Sequence, residues 1–414
     1  MLIRVRGGSP LSGELRLPPS KLYTQFLSAL AFLGEGKSVV RGPLAVKDTL
    51  PLLRELERLG ATLSRGPGEW TIWGTGGEPR PKSSVLEAGN SGTVFGMLAG
   101  LATLCSGTMV VTGDAQLRQR PMPSLLRLLR ALGAEVTPAG ARQTPPFIVF
   151  GKGGVRGAEV GEVGPPELFT LLLLAPLAEG GVGAKVEGEG ERMVEILRRA
   201  GAEVSGRVRV RISGGRLRPG VLRVPSSLHL AAPFVVASLL PGSKVVFRGG
   251  EVEGASFLRL LQEMGVEPAG GGGRWRFRGE PRGARVDLSG REELFPLAAV
   301  LACLAEGRTV FRGLSRARGM KSDRLSLTVE NLRRMGARVK REGEGWVVEG
   351  GRLRGAKVRG GNDYAVVAAL VVAGLAAEGE TLVAEGPSAL RSAYSGFLSE
   401  WRKLGAEVEL VETP

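Results

Sequence analysis

The chain has 414 residues, 43% hydrophobic and 23% charged, which is enough apolar material for two domains with cores of their own. Its longest apolar runs, such as residues 365–377, fall short of the ~20 that a membrane span needs, and MLIRVRGG at the start reads as a strand without the apolar stretch of a secretion signal. The formal net charge is +15, and 45 of the 56 basic residues are Arg. They are spread along the whole chain, as on a surface dense in ion pairs, and Asn, Gln, Cys and His are scarce, as in proteins from hot environments. The same excess suits an anionic ligand or nucleic acid. Cys105 and Cys303 both lie inside apolar runs, which predicts buried, reduced thiols and a cytoplasmic protein.

In chain order, residues 1–20 are expected to form a strand pair around Gly7-Gly8 and Gly13, ending in LRLPPSK. A unit follows at residues 26–63. An apolar helix, FLSALAFLGEG, runs into a β-branched strand, KSVVRGPL, and then into an amphipathic helix, LLRELERLG, with Leu at 52, 53, 56 and 59. The first helix is apolar nearly all round, so it should be buried on every side. The second ends at a glycine that caps it and turns the chain into a strand. The closing signature recurs at Gly60, Gly133, Gly201, Gly265, Gly336 and Gly405, with spacings of 73, 68, 64, 71 and 69 residues. The apolar helix likewise ends on Gly36, Gly107, Gly180, Gly242, Gly307 and Gly379. Two independent signals with one period indicate six copies of one α/β unit. Strands such as WTIWG, FIVFG, WRFRG and WVVEG close the units, and the glycines at 270–273 read as a hairpin turn.

A longer repeat overlies the short one. Arg16-Leu17-Pro18-Pro19-Ser20 matches Arg223-Val224-Pro225-Ser226-Ser227, 207 residues further on, so the six units fall into two halves of three. Proline disfavours helix in the residue before it, which makes both joins extended crossovers. The predicted domains are residues 1–20 plus 227–414, and residues 21–226.

Six such units, with LPPSK at 17–21, GNSGT at 89–93, RQRP at 118–121, EELFPLAAVLA at 292–302, SDR at 322–324 and LGAEV near the end, resemble the EPSP synthase (3-phosphoshikimate 1-carboxyvinyltransferase) family of enolpyruvyl transferases. The resemblance covers the whole chain. It implies an α/β protein of two domains, an inside-out α/β barrel in which each domain has three units around a pseudo-threefold axis, with the active site between the domains. It also implies transfer of the enolpyruvyl group of phosphoenolpyruvate to a hydroxyl of shikimate 3-phosphate, with no metal and no cofactor. The expected partner is thus a small anion such as phosphoenolpyruvate, without nucleic acid or membrane, and the expected state is a monomer. A related repeat architecture occurs in RNA 3′-phosphate cyclases, but this chain has one histidine, His229, and no aromatic stacking cluster in its sequence to suit RNA.

By the same resemblance, Ser20 and Lys21 meet the substrates, and a lysine just before an apolar helix also has the helix N-terminus beside it for an anion. Asn90, Gly92 and Thr93 keep the phosphate loop, where glycine permits close backbone approach. Arg120 and Arg324 match arginines that hold phosphoenolpyruvate, a task suited to a bidentate guanidinium. Glu293 stands where the family has the aspartate that acts on the acceptor hydroxyl. Lys321 stands where the family has a catalytic glutamate, and a lysine donates a proton there only if burial and neighbouring Arg lower its pKa. Arg391 neighbours Ser392, which falls on a family lysine.

Other family positions have changed. Basic residues are replaced at Phe26, Gly96, Ala365 and Ser392, and a lysine is replaced by Met320. The Ser-Ser-Gln that holds the acceptor phosphate falls at Pro165-Pro166-Glu167, and a second acceptor loop falls at residues 187–191, where Glu187, Glu189 and Glu191 alternate with glycine. Two acidic replacements set against a phosphate predict a weakened shikimate 3-phosphate site. A homologue that binds a small ligand without this chemistry is the alternative reading.

Overall fold

Each recurring Leu-Gly-Ala or its variant ends a helix. In the computed structural model, which describes residues 1–161, 163–315, 317 and 322–412, the six signature glycines all lie at positive φ, from 78° at Gly133 to 110° at Gly60. The residue after each glycine donates its N–H five residues back, as Ala61 does to Leu56 and Ala406 to Trp401, both at 3.0 Å. The glycine itself donates three residues back, as Gly60 does to Glu57 at 3.1 Å. This is the Schellman arrangement, and it occurs at all six positions because only glycine enters the left-handed region without strain.

The chain divides into two compact units. One is continuous, Pro19–Pro225, and the other is split, Met1–Pro18 with Ser226–Pro414. The continuous unit holds helices α1 (Lys21–Leu33), α2 (Leu50–Arg58), α3 (Gly92–Thr103), α4 (Pro123–Ala131), α5 (Pro165–Leu174) and α6 (Glu189–Arg199). The split unit holds α7 (Leu228–Ala237), α8 (Ala255–Glu263), α9 (Phe295–Leu304), α10 (Arg324–Arg334), α11 (Tyr364–Ala376), α12 (Pro387–Ala393) and α13 (Phe397–Lys403). Among the described residues, no helix is long and apolar enough to cross a membrane.

Among the described residues, each unit carries three four-stranded sheets, and all six follow one plan. A strand pairs in parallel with its neighbour, which pairs antiparallel with a third strand that has a fourth antiparallel beside it; in five sheets the last two form a hairpin, and in the sixth they come from opposite ends of the chain. In the continuous unit the second sheet runs Val85–Glu87, Ser106–Thr112, Phe147–Lys152, Glu135–Pro138. The first sheet of that unit, Lys37–Arg41 with its hairpin, takes its parallel edge from Val221–Arg223 at the far end. The split unit closes in the same way. Leu2–Arg6 lies between Glu380–Ala384 and Val408–Val411, whereas Ser12–Arg16 pairs in parallel with Lys244–Arg248. The two N-terminal strands therefore do not pair with each other, as the glycine pattern suggested; each completes a different sheet.

Each unit has its own hydrophobic cluster, one from Tyr23 to Leu222 and one from Ile3 to Val408. The uniformly apolar helices are the centre of both. In α1 every residue from Tyr23 to Leu33 is buried, as are Val366–Leu375 of α11. The second helix of a unit buries one stripe, Leu52, Leu53 and Leu56 in α2, and turns Arg54 and Arg58 to water, while Glu55 is buried. In the split unit Trp401 stacks on Phe234 with ring centres 4.2 Å apart, and Phe397 packs edge-on to Trp401 at 5.8 Å. Such pairs contribute about 0.5–1.5 kcal/mol beyond their area. Cys105 and Cys303 are buried and unbridged, and burial pushes their thiols up to about 11 and about 12.

The glycine caps differ in the room around them. A Cβ at Gly133 meets only the flexible Arg156 side chain at 3.3 Å, but one at Gly201 falls 2.4 Å from the Arg216 carbonyl oxygen. Gly133→Ala should destabilise the continuous unit by about 1–2 kcal/mol, the strain of a left-handed Ala. Gly201→Ala should lose a further ~1–3 kcal/mol from the backbone clash. Urea unfolding followed on that unit checks the order, and equal losses would contradict it.

Candidate active site

In the continuous unit the predicted residues gather at two helix N-termini. Ser20 is extended, with φ −69° and ψ 123°, and its Oγ caps α1 by accepting from the Tyr23 N–H at 3.3 Å. Lys21 then places its Nζ 3.1 Å from Asp48 Oδ2. Asp48 is held in turn through its carbonyl, which accepts from Gln25 Nε2 at 2.8 Å. Lys21 thus pairs with a carboxylate that its sequence neighbourhood did not reveal.

The second N-terminus is that of α3. Ser91 caps it, accepting from the Val94 N–H at 3.2 Å. Asn90 donates its amide to Gln116 Oε1 at 2.5 Å and accepts a hydrogen bond from Arg120. A Cβ built on Gly92 stands 3.9 Å from Arg120 Nη1, so the guanidinium lies against the first turn of the helix. Thr93 is the next residue, partly exposed. A guanidinium and a helix N-terminus on one spot are both positive, which is the charge pattern of an anion site. Asn90, Gly92 and Arg120 therefore meet, with Thr93 next in the same turn, although residues 92 and 120 are separated by a helix and a strand.

In the split unit Arg324, the first residue of α10, grips Asp363 with two hydrogen bonds, Nε to Oδ2 at 2.8 Å and Nη2 to Oδ1 at 3.1 Å. Ser322 Oγ donates to the same carboxylate at 3.0 Å, and Asp363 caps α11 by accepting from the Ala365 N–H. Burial alone would raise the Asp363 pKa, but the Arg324 charge and these hydrogen bonds outweigh it and hold the carboxyl below its usual range. Glu293 sits on the short helical turn Glu292–Leu294 just before α9, partly exposed. Burial pushes its carboxyl up, while the charges of His229 and Arg324 pull the other way and Glu292 adds to the rise; the net direction is upward. A carboxylate raised in this way is a stronger general base. Arg391 is exposed on α12. Lys321 and Met320 lie outside the described residues.

The replaced positions have structural roles that explain their chemistry. Phe26 is fully buried in α1. Gly96 lets α3 press on α5, since a Cβ there would fall 2.8 Å from Thr170 Oγ1. Beside Ala365, Tyr364 donates its hydroxyl to the Leu230 carbonyl at 2.9 Å and ties α11 to α7. Glu167 is buried in the first turn of α5. The stretch 187–191, read above as a loop, is partly helix: Glu189 and Glu191 open α6, where acids suit the helix dipole. Glu187 pairs with Lys185 at 2.8 Å, and Glu189 accepts from the Tyr23 hydroxyl at 2.8 Å. These acids have partners within the fold.

One array escaped the sequence reading. His229 lies with Nδ1 3.0 Å from Glu253 Oε2 and Nε2 3.0 Å from Ser256 Oγ. A lone histidine carries no spacing signal, and its partners come from a strand and helix 24 and 27 residues away.

Because Asp363 is buried on Arg324, Arg324→Ala should leave an uncompensated charge and cost about 3–5 kcal/mol at neutral pH. A carboxyl whose folded pKa is depressed stabilises above its unfolded value of about 3.9, and the gain is lost as pH falls through the folded value. The gap in melting temperature between wild type and Arg324→Ala should therefore be wide at pH 7 and narrow below about pH 4. Thermal melts across that range check it.

The chain matches the family model for EPSP synthase (3-phosphoshikimate 1-carboxyvinyltransferase) over residues 5–401. It is 32% identical to the 3-phosphoshikimate 1-carboxyvinyltransferase of Methanocella arvoryzae, with 97% of this chain and 98% of that protein covered. It is 34% identical to the protein of the same name from Methanothermobacter thermautotrophicus, covering 91% and 92%, and 31% identical to that from Acetivibrio thermocellus, covering 100% of both. A solved structure of EPSP synthase from Acinetobacter baumannii superposes with a TM-score of 0.78 at 24% identity over the whole of both chains, which is a likeness of fold. With a family model matched across nearly its whole length and relatives above 30% identity, this chain belongs to the EPSP synthase family.

Proposed function

We propose that the protein transfers the enolpyruvyl group of phosphoenolpyruvate to a hydroxyl of an acceptor other than shikimate 3-phosphate. The observation that carries the donor half is the cradle at the N-terminus of α3, where Arg120 is seated on Asn90 beside Gly92. It offers a guanidinium and backbone N–H groups to the phosphate, and Lys21 adds a second cation in the same unit. In this reading Glu293 takes the proton of the acceptor hydroxyl as its oxygen adds to C2 of phosphoenolpyruvate and C3 takes up a proton from Lys321; C3 then returns a proton as the double bond re-forms, and phosphate leaves C2 with the C–O electron pair. Lys321 and Arg324 complete the set on the split unit, with Arg324 holding the donor anion. Family membership supports the reaction class.

The changed acceptor rests on Pro165-Pro166-Glu167 and the acidic stretch 187–191, which stand where the family resemblance puts the donors for the acceptor phosphate, and four replaced basic positions weaken the family reaction as a whole. Phe26 and Gly96 are packed in apolar interiors, where an arginine would force helices apart. Ala365 opens α11 with no charge to offer, and Ser392 has none either. Each lost contact to a charged group is worth about 1.5–3 kcal/mol, so four such losses reach ~10⁴-fold or more even when only partly additive. The fold supports one further proposal: the common strand plan of the six sheets marks six copies of one α/β unit, three about a pseudo-threefold axis in each domain, with the domains divided near residues 20 and 226.

Phosphoenolpyruvate should raise the melting temperature of the protein, and Arg120→Ala should weaken its binding by about 10–100-fold. With shikimate 3-phosphate as acceptor, turnover should fall orders of magnitude below the usual ~1–10³ s⁻¹. A rate inside that range would overturn the altered acceptor, and failure to bind phosphoenolpyruvate would overturn the donor half.

A further inference from the structure

His229 is held at both ring nitrogens. Ser226–Ser227 pairs in parallel with Val252–Glu253, which brings Glu253 beside the first turn of α7. Glu253 is 4% exposed; one of its oxygens accepts from the Ser227 hydroxyl and the other lies 3.0 Å from His229 Nδ1. Ser227 also caps α7, accepting from the Leu230 N–H at 3.1 Å. Across the ring, Ser256 Oγ lies 3.0 Å from Nε2. Gly254 lets these segments close on one another, since a Cβ there would fall 2.8 Å from Leu228 Cβ. A hydroxyl from α8, an imidazole from α7 and a buried carboxylate from the strand between them therefore stand in one hydrogen-bonded row.

The order within the row sets the chemistry. A carboxylate can only accept, so the neutral ring places its proton on Nδ1 and leaves the Nε2 lone pair to the Ser256 hydroxyl. A hydroxyl on a base whose far side is fixed by an acid is the arrangement that activates a serine as a nucleophile. The acid end is buried, but the reactive end is open: the His229 side chain is 28% exposed and Ser256 is half-buried. Ser256 is also the second residue of α8, a helix of 9 residues. Phe257 and Leu258 both donate to the Gly254 carbonyl, whereas the Ser256 N–H makes no hydrogen bond among the described residues. That N–H stands at the positive end of the helix, beside its own hydroxyl, and is a donor for an oxygen that becomes negative.

We propose that Ser256, His229 and Glu253 form a nucleophile, base and acid that cleave small carboxylic esters, an activity that uses none of the residues assigned above to enolpyruvyl transfer. Ser256 Oγ adds to the ester carbonyl carbon as its proton passes to His229 Nε2, and the carbonyl π pair moves onto oxygen, where the Ser256 N–H stabilises it. When that pair returns, the bond to the alcohol oxygen breaks, and the leaving alcohol takes the proton from Nε2. Water then attacks the acyl-Ser256 ester, giving its own proton to Nε2. The carboxylic acid is released as Ser256 Oγ leaves and recovers that proton. Glu253 is a positioning residue: it keeps the ring proton on Nδ1 and stabilises the imidazolium formed in each half. One backbone donor suits esters with a good leaving group, of which p-nitrophenyl acetate is the simplest probe.

The test incubates the full-length protein with p-nitrophenyl acetate at about pH 8, where an ordinary imidazole is neutral. Release of p-nitrophenol should begin with a burst, and mass spectrometry of the quenched protein should find an acetyl group on Ser256. Ser256→Ala should abolish that adduct, and His229→Ala should slow its formation by about 100-fold or more. Acetyl groups found only on lysines, or a Ser256 adduct that forms as fast in His229→Ala, overturn the proposal. Should the variants not fold, the wild-type adduct decides. A second readout needs no ester. His229 is the chain's one histidine, so its ring nitrogens give isolated signals in a long-range ¹H–¹⁵N spectrum. The neutral ring should carry its proton on Nδ1 in wild type and shift toward the Nε2–H form in Glu253→Gln, with acetylation of Ser256 slowed by about 10-fold or more. A wild-type ring protonated on Nε2 leaves Ser256 without a base and overturns the proposal.

Discussion

A helix buried on every side has nowhere to carry a charge except at its ends. That constraint orders the chemistry of this chain. In α1, α3, α7 and α11 the body of the helix is apolar and buried, and the polar residues stand at the first turn. Ser20, Ser91, Ser227 and Asp363 each cap one of these helices with a side-chain oxygen. Lys21, Arg120, His229 and Arg324 lie beside those caps. α9 has no side-chain cap, but Glu292 and Glu293 precede it directly. The core thus decides where function can be, before any catalytic residue is chosen.

The same constraint explains what was legible in the sequence. The period of the Gly signatures reports a backbone requirement, a left-handed residue after each amphipathic helix, and a backbone requirement is local. Apolar runs such as that of α11 report burial directly. Asn90, Gly92 and Ser91 could be read as a helix start because capping is a short-range chemistry. What stayed hidden is long-range. Nothing near Leu2–Arg6 says that it will lie between strands almost 400 residues away, so the two N-terminal strands looked like a hairpin. Nothing near Lys21 points to Asp48, and nothing near His229 points to Glu253 and Ser256. Partners brought together by sheet closure leave no spacing in the chain.

The acids at 187–191 teach a related lesson. Read against a phosphate, a run of glutamates signals repulsion. In the fold, Glu189 and Glu191 sit where the N-terminus of α6 favours negative charge, Glu187 neutralises Lys185, and Glu189 accepts from Tyr23. Arg192, from the same helix, lies over the Tyr23 ring at 5.8 Å. A group of side chains that joins α1 to α6 therefore occupies these charges. The change from neutral donors to acids has an internal use, which makes the stretch part of how the unit holds together as well as a change of surface charge.

Two of the cations assigned to the donor anion are already paired with carboxylates, and the two pairs differ in kind. Lys21 is about one-third exposed and meets Asp48 through a single flexible contact, so an anion can draw it away at small cost. Arg324 is nearly buried and bound through two parallel hydrogen bonds to a carboxylate that also caps α11. Breaking that pair would strand a buried charge. Arg324 therefore meets a ligand only with Asp363 still attached, its guanidinium plane fixed by the bidentate contact. A guanidinium fixed in this way loses little conformational freedom on binding, and it selects ligands by direction as much as by charge. On the split unit, rigidity comes from Asp363 for Arg324 and from Glu253 for His229, so two buried carboxylates set the geometry of a guanidinium and an imidazole.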